Sequence, residues 1–190
     1  MKINRRLNLA FTVEREDGSI IHVHHVPISE EIFDANWRVL TKAVTSMYSD
    51  VYMPLVAARI GYRMIRDVAT FMKMDMDALE LGFFSHVWRL TTLILPERPD
   101  PVPLDVAFAS NLLDSEELSE VRNCICFFTA ASWVHPRNEL AGMYQLLAGE
   151  NNTSGKLTGS WSVMEYAISL RTSKPAENTG AKETVASIPH

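Results

Sequence analysis

Cysteine and glycine are scarce in this chain, long apolar runs are missing, and positive charge is in deficit. Its two cysteines, Cys124 and Cys126, stand one residue apart, so they cannot staple distant parts of a fold, and such usage suits a reducing cytoplasm. Two helical positions differ by about 200° around the axis, so these thiols diverge, cannot chelate one ion, and read as small buried hydrophobes. Only eight glycines occur in 190 residues, with neither G-x-G-x-x-G nor G-x-x-x-x-G-K, so no phosphate-cradling loop or nucleotide cofactor is expected. A net charge of −5 and a pI near 5.7 argue against broad electrostatic capture of nucleic acid. The most apolar window, Cys124 to Val134, is far shorter than the ~20 residues that cross a bilayer, and reads as a core helix. The N-terminus lacks the apolar run of a signal peptide, so neither export nor a membrane partner is expected.

What remains is 47% hydrophobic and 22% charged, enough to bury the core of one domain. Leu7, Leu9, Phe11 and Val13 alternate as on a half-buried strand, Asp17-Gly18 supplies a tight turn, and Ser19 to Val26 resumes β-like alternation. Ser29-Glu30-Glu31 starts a helix to about Ser49, with Phe33, Trp37, Leu40, Val44 and Met47 as its apolar stripe. A second helix is predicted from Met53 to Met72, with Pro54 in its first turn and Leu55, Ala58, Tyr62, Ile65 and Ala69 in a row. Asp75 or Asp77 caps a third, predicted to run through Leu93 and Ile94 until Pro96 stops it. Pro96, Pro99, Pro101 and Pro103 then read as an extended connector, 96–103, between two helical lobes.

Beyond the connector, Leu104 to Ser110 reads as a short helix, and Asp114 with Glu117 as a capping box for a helix carrying Leu118, Val121, Ile125 and Phe128. Two further helices are predicted, one restarting at Pro136 and closing at Gly149, the other from Ser160 to Leu170 with Trp161 on its buried side. Residues 172–190 contain no Leu, Phe, Trp, Tyr or Met and read as a disordered tail. The expected fold is α+β and predominantly α-helical: an N-terminal β-hairpin followed by a helical bundle within residues 1–171, then that tail.

Little of the chemistry assembles. His22 and His24 would share one strand face about 6.6 Å apart, a spacing that suits zinc, but no third ligand lies nearby in sequence and a polar hairpin face explains them. His135 lies about 13.5 Å along a helix from Cys126, too far to serve as its base, and Ser85-His86 lacks a nucleophile elbow. No catalytic residue, metal or cofactor is therefore expected. Arg59, Arg63 and Arg66 form a cationic row on the second helix, next to a generous supply of adaptable side chains, nine Met and four Trp in all. The first two helices thus read as a partner-binding face built from Trp37, Met47, Tyr48, Met53, Arg59, Tyr62, Arg63, Met64 and Arg66.

The opening Met1-Lys2-Ile3-Asn4-Arg5-Arg6-Leu7-Asn8-Leu9, then Val26-Pro27-Ile28-Ser29, Leu112-Leu113-Asp114, Leu118-Ser119-Glu120-Val121, Cys126-Phe127-Phe128-Thr129-Ala130 and Ser169-Leu170-Arg171-Thr172-Ser173 together resemble tail assembly chaperones of long-tailed, siphovirus-like bacteriophages. The likeness spans most of the chain as scattered segments, not as a catalytic signature. It implies a non-enzymatic protein of the host cytoplasm that binds the long helical tape measure protein, keeps it soluble and helps tail tube subunits assemble around it. In many such proteins a ribosomal frameshift adds a second domain to a minority of copies. The residues leave self-association open, and a structural tail or completion protein, or a small enzyme using His22 and His24 on a metal, are the alternative readings.

Overall fold

The computed structural model describes residues 8–50, 54–98, 100–136, 139–140, 156–157 and 162–172. Strands β1 (Leu9–Glu14) and β2 (Ile20–His25) form the expected hairpin, in the register Leu9 to His25 and Val13 to Ile21. The turn closes as Gly18 N–H donates to the Arg15 carbonyl and Arg15 N–H to that of Ser19, each at 2.9 Å. Gly18 sits at φ +78°, which only glycine adopts freely, and the Asp17 side chain accepts from Ser19 N–H at 2.8 Å.

Helix α1 (Glu30–Asp50) leads to α2 (Pro54–Phe71), both close to their predicted spans. The buried side of α1 is Val39, Leu40, Ala43, Val44 and Met47; Trp37, expected in that stripe, is 49% exposed. Helix α2 ends in a Schellman turn, with Met74 N–H donating to the Ala69 carbonyl and Lys73 N–H to that of Thr70, and with Lys73 left-handed at φ 57°.

The predicted third helix is shorter and interrupted. Asp75 caps α3 (Met76–Leu79), accepting from the amides of Asp77 and Ala78; a π turn covers Glu80–Phe84, and α4 (Ser85–Arg89) follows. Leu90 then leaves the helix and Thr91–Ile94 forms β3, antiparallel to β2. Two adjacent β-branched threonines favour the strand, and the Thr91 hydroxyl donates to the Val87 carbonyl at 3.0 Å as the chain turns out of α4. The proline-rich stretch likewise is more than a spacer. Arg98 N–H closes a turn onto the Leu95 carbonyl, and β4 (Val102–Pro103) pairs back with β3. Pro103 is tolerated there because β4 lies at the sheet edge. Among the described residues five strands run in the order β4-β3-β2-β1-β5, all antiparallel, with β5 (Lys156–Leu157) on the far side of β1.

After the short α5 (Leu104–Ala109), helix α6 (Ser115–Val134) passes through the middle of the molecule. Its residues Ile125 to Ala131 are all buried, so this helix has no solvent side there; it packs on α2, α1 and β1. Helices on the two sides of the proline stretch thus share one core instead of forming separate lobes. The capping box is complete: Asp114 accepts from the amides of Glu116 and Glu117, at 2.7 and 2.8 Å, and the Glu117 carboxylate accepts from Asp114 N–H at 3.0 Å. Asp114→Ala should therefore cost about 1 kcal/mol and lower the melting temperature by roughly 2–4 °C in calorimetry; an unchanged midpoint would show that the cap adds nothing to the packed helix.

The last element among the described residues, α7 (Val163–Thr172), begins at its own capping box between Ser162 and Glu165 and includes Thr172, which the sequence reading assigns to the tail. Trp161, most of the helix predicted at 136–149 and residues 173–190 lie outside the described residues. The fold is α+β and predominantly helical, with the sheet built on the N-terminal hairpin. Among the described residues no helix is long and apolar enough to cross a membrane.

Candidate interaction surface

The histidine cluster is packed instead of displayed. His22 and His24 do share a sheet face, but that face is covered: the Tyr166 ring of α7 lies 6.4 Å from His22 and 5.8 Å from His24, and His24 is only 1% exposed. The polar hairpin face expected for them is thus packed, because a helix from the far end of the sequence folds over it. Among the described residues no group of three His, Cys, Asp or Glu side chains could hold a metal. His25 points to the opposite face, fully buried, with its Nδ1 2.9 Å from the Thr91 hydroxyl and its Nε2 3.3 Å from that of Thr129. Burial first, and then His24, drives its pKa down to about 3. Burial pushes the Cys124 thiol up to about 12 and raises Cys126 as well, so neither sulfur carries thiolate character at neutral pH.

The residues predicted to bind a partner do not form one surface. Met47 is wholly buried in the core and is unavailable to a partner. Tyr48 is half-buried with its ring 5.2 Å from His135, Met64 packs against the core, and Met53 lies outside the described residues. Trp37 is about 16 Å along α1 from Tyr48, at the rise of ~1.5 Å per residue. The arginine row is exposed but partly spoken for. Arg66 Nε lies 3.4 Å from Glu80 Oε1, and Tyr62 donates its hydroxyl to the same oxygen at 2.8 Å. Burial and then Glu80 raise the Tyr62 pKa. Arg59 acts on Glu120 of α6, opposing the upward shift that desolvation gives that carboxyl. Arg63 is exposed.

What the fold does assemble is a groove of about 360 Å³ between the N-terminal half of α1 and the Schellman turn of α2, lined by Asp34, Trp37, Arg38, Val39, Met72 and Met74. Beside it Phe71 is 75% exposed, with Lys42 Nζ 4.4 Å above its ring, and the Arg38 guanidinium lies 5.6 Å from the Trp37 ring. The groove thus brings together one exposed aromatic, one cation and two methionines, with Phe71 next to Met72 in the chain and Lys42 over its ring. Of these, sequence reasoning named Trp37 alone. Phe71 fell off the apolar row of its helix, and an aromatic residue at such a position was the one available signal.

No protein-family model, curated protein or solved structure matches the chain.

Proposed function

We propose that this chain is a non-enzymatic assembly chaperone that holds an amphipathic helical client, and, by its resemblance to tail assembly chaperones, that the client is a phage tape measure protein in the host cytoplasm. The observation that supports a binding role is the groove beside Trp37 and Phe71. Large aromatics left in water are a standing cost that a partner's apolar stripe removes, and methionine adapts to varied side chains. Arg38 and Lys42, stacked on those rings, orient acidic residues flanking the stripe.

The test is co-expression with the tape measure protein, followed by pull-down. Replacing Trp37 and Phe71 together by Ser should reduce client capture at least tenfold, while the melting temperature moves by less than about 2 °C because both rings are largely outside the core. Undiminished capture would remove the groove from the binding face. Recovery of the protein in purified virions would favour a structural tail component over a chaperone, which leaves once the tail is built.

A further inference from the structure

Arg122 of α6 sits in a frame of aromatic rings contributed by three other helices. Its guanidinium carbon is 5.7 Å from the Tyr62 ring of α2, 5.1 Å from Trp88 of α4 and 5.0 Å from Phe108 of α5. The frame is braced from behind: Trp88 stacks on Phe84 at 5.7 Å and 10°, and Tyr62 meets Phe84 edge-on at 4.8 Å. Ring faces attract the cation but accept none of its N–H groups in a conventional hydrogen bond. Arg122 Nε is buried without a hydrogen-bond partner, and no hydrogen bond or ion pair joins the Arg122 side chain to any described residue. Glu80 Oε1, which accepts from the Tyr62 hydroxyl of this frame, pairs with Arg66 instead. Arg15, by contrast, has Glu97 and Glu117 as partners.

We propose that this framed guanidinium receives a carboxylate from an acidic amphipathic helix of a partner protein. A planar guanidinium held against aromatic faces is preorganised for a two-pronged bond to a carboxylate, because little side-chain freedom is left to lose. The source of the anion follows from the rim. Phe108 is 51% exposed and Val106, on the same short helix, is 47% exposed. A free phosphate would leave that apolar rim in water, whereas a helix carrying Leu or Phe one turn from a Glu or Asp covers the rim and pairs the cation together. The proposal rests on the chain being a protein-binding module, not on which client it holds.

The probe is a fluorescein-labelled helical peptide with Leu at i, i+4 and i+7 and a central Glu, compared by anisotropy with the same peptide carrying Gln. The wild-type protein should bind the Glu peptide about tenfold more tightly, and Arg122→Gln should erase the difference while the Arg122 Nε–H and Trp88 indole signals shift only in wild type. Equal affinity of the wild type for both peptides, or undiminished discrimination by Arg122→Gln, overturns the proposal. So does an Arg122 Nε–H signal that responds to millimolar inorganic phosphate and not to the Glu peptide. Should Arg122→Gln fail to fold, Arg122→Lys keeps the charge over the rings but loses the fork; discrimination should fall to threefold or less, and full discrimination overturns the proposal equally. Both variants retain the groove beside Trp37 and Phe71, so loss of client capture there and loss of carboxylate selectivity here are separate failures.

Discussion

Gly61→Ala should destabilise the protein by about 3 kcal/mol or more in urea unfolding, although the same change in an ordinary helix gains about 1 kcal/mol. A β-carbon at Gly61 would lie 2.5 Å from the Asn123 carbonyl oxygen, 2.6 Å from Phe127 N and 2.9 Å from Phe127 Cβ. None of these can rotate away, since all belong to the backbone or first side-chain atom of α6. The crossing of α2 and α6 is held at this separation by Asn123, whose Oδ1 accepts from Tyr62 N–H at 3.1 Å while its Nδ2 donates to the Ser119 carbonyl at 2.8 Å. Spreading the helices would lengthen that bond and open the core around Ile65 and Phe127. The sign decides the matter: an alanine variant more stable than wild type would mean that the helices do not cross this closely.

A second large effect is expected in acid. His25 is neutral in the fold, with a pKa near 3 against an ordinary 6.5, so the unfolded chain binds a proton that the folded chain does not over that interval. Its contribution is complete above pH 6.5 and is lost as pH falls toward 3, amounting to something on the order of 4 kcal/mol for so buried a group. His22, lowered by burial, works in the same direction. Carboxyls held below their usual range, such as Glu97, begin to matter only nearer their own ordinary value of 4.5, which leaves pH 6.5 to 5 as the informative window. Urea midpoints should fall across that window, and the ring signals of His25 should not titrate in the folded protein. A ring that protonates near pH 6 with the fold intact would contradict this.

The hairpin turn at Gly18, the start of α2 at Pro54 and the capping box at Asp114 were legible because each is decided within a few residues. Strand β3 was not, since Leu90 and Ile94 fit a helical spacing and the strand's partner, β2, lies far back in the sequence. The stripe on α1 misplaced Trp37 for a related reason: the spacing 33, 37, 40, 44, 47 marks a helix, but which part is buried depends on where α2 and α6 come to rest. His24 packs against Tyr166 of α7, and the frame around Arg122 draws one ring from each of three helices. Contacts of such long range leave no periodic trace. The arginine row was visible as a pattern, yet its pairing with Glu80 and its action on Glu120 were not.

The pairing of β1 with β5 has a consequence for synthesis on the ribosome. Leu9 and Ala10 meet Leu157 and Lys156, so the start of this β1 edge is paired by residues translated well after it. At about 5–20 residues per second, that edge stands open for on the order of 10 s while the intervening chain emerges. An unpaired strand edge is a template for another chain, and on a polysome identical nascent hairpins lie close together. The alternation of Leu9, Phe11 and Val13 makes this edge adhesive, and pairing with Lys156–Leu157 withdraws Leu9 and Ala10 from it.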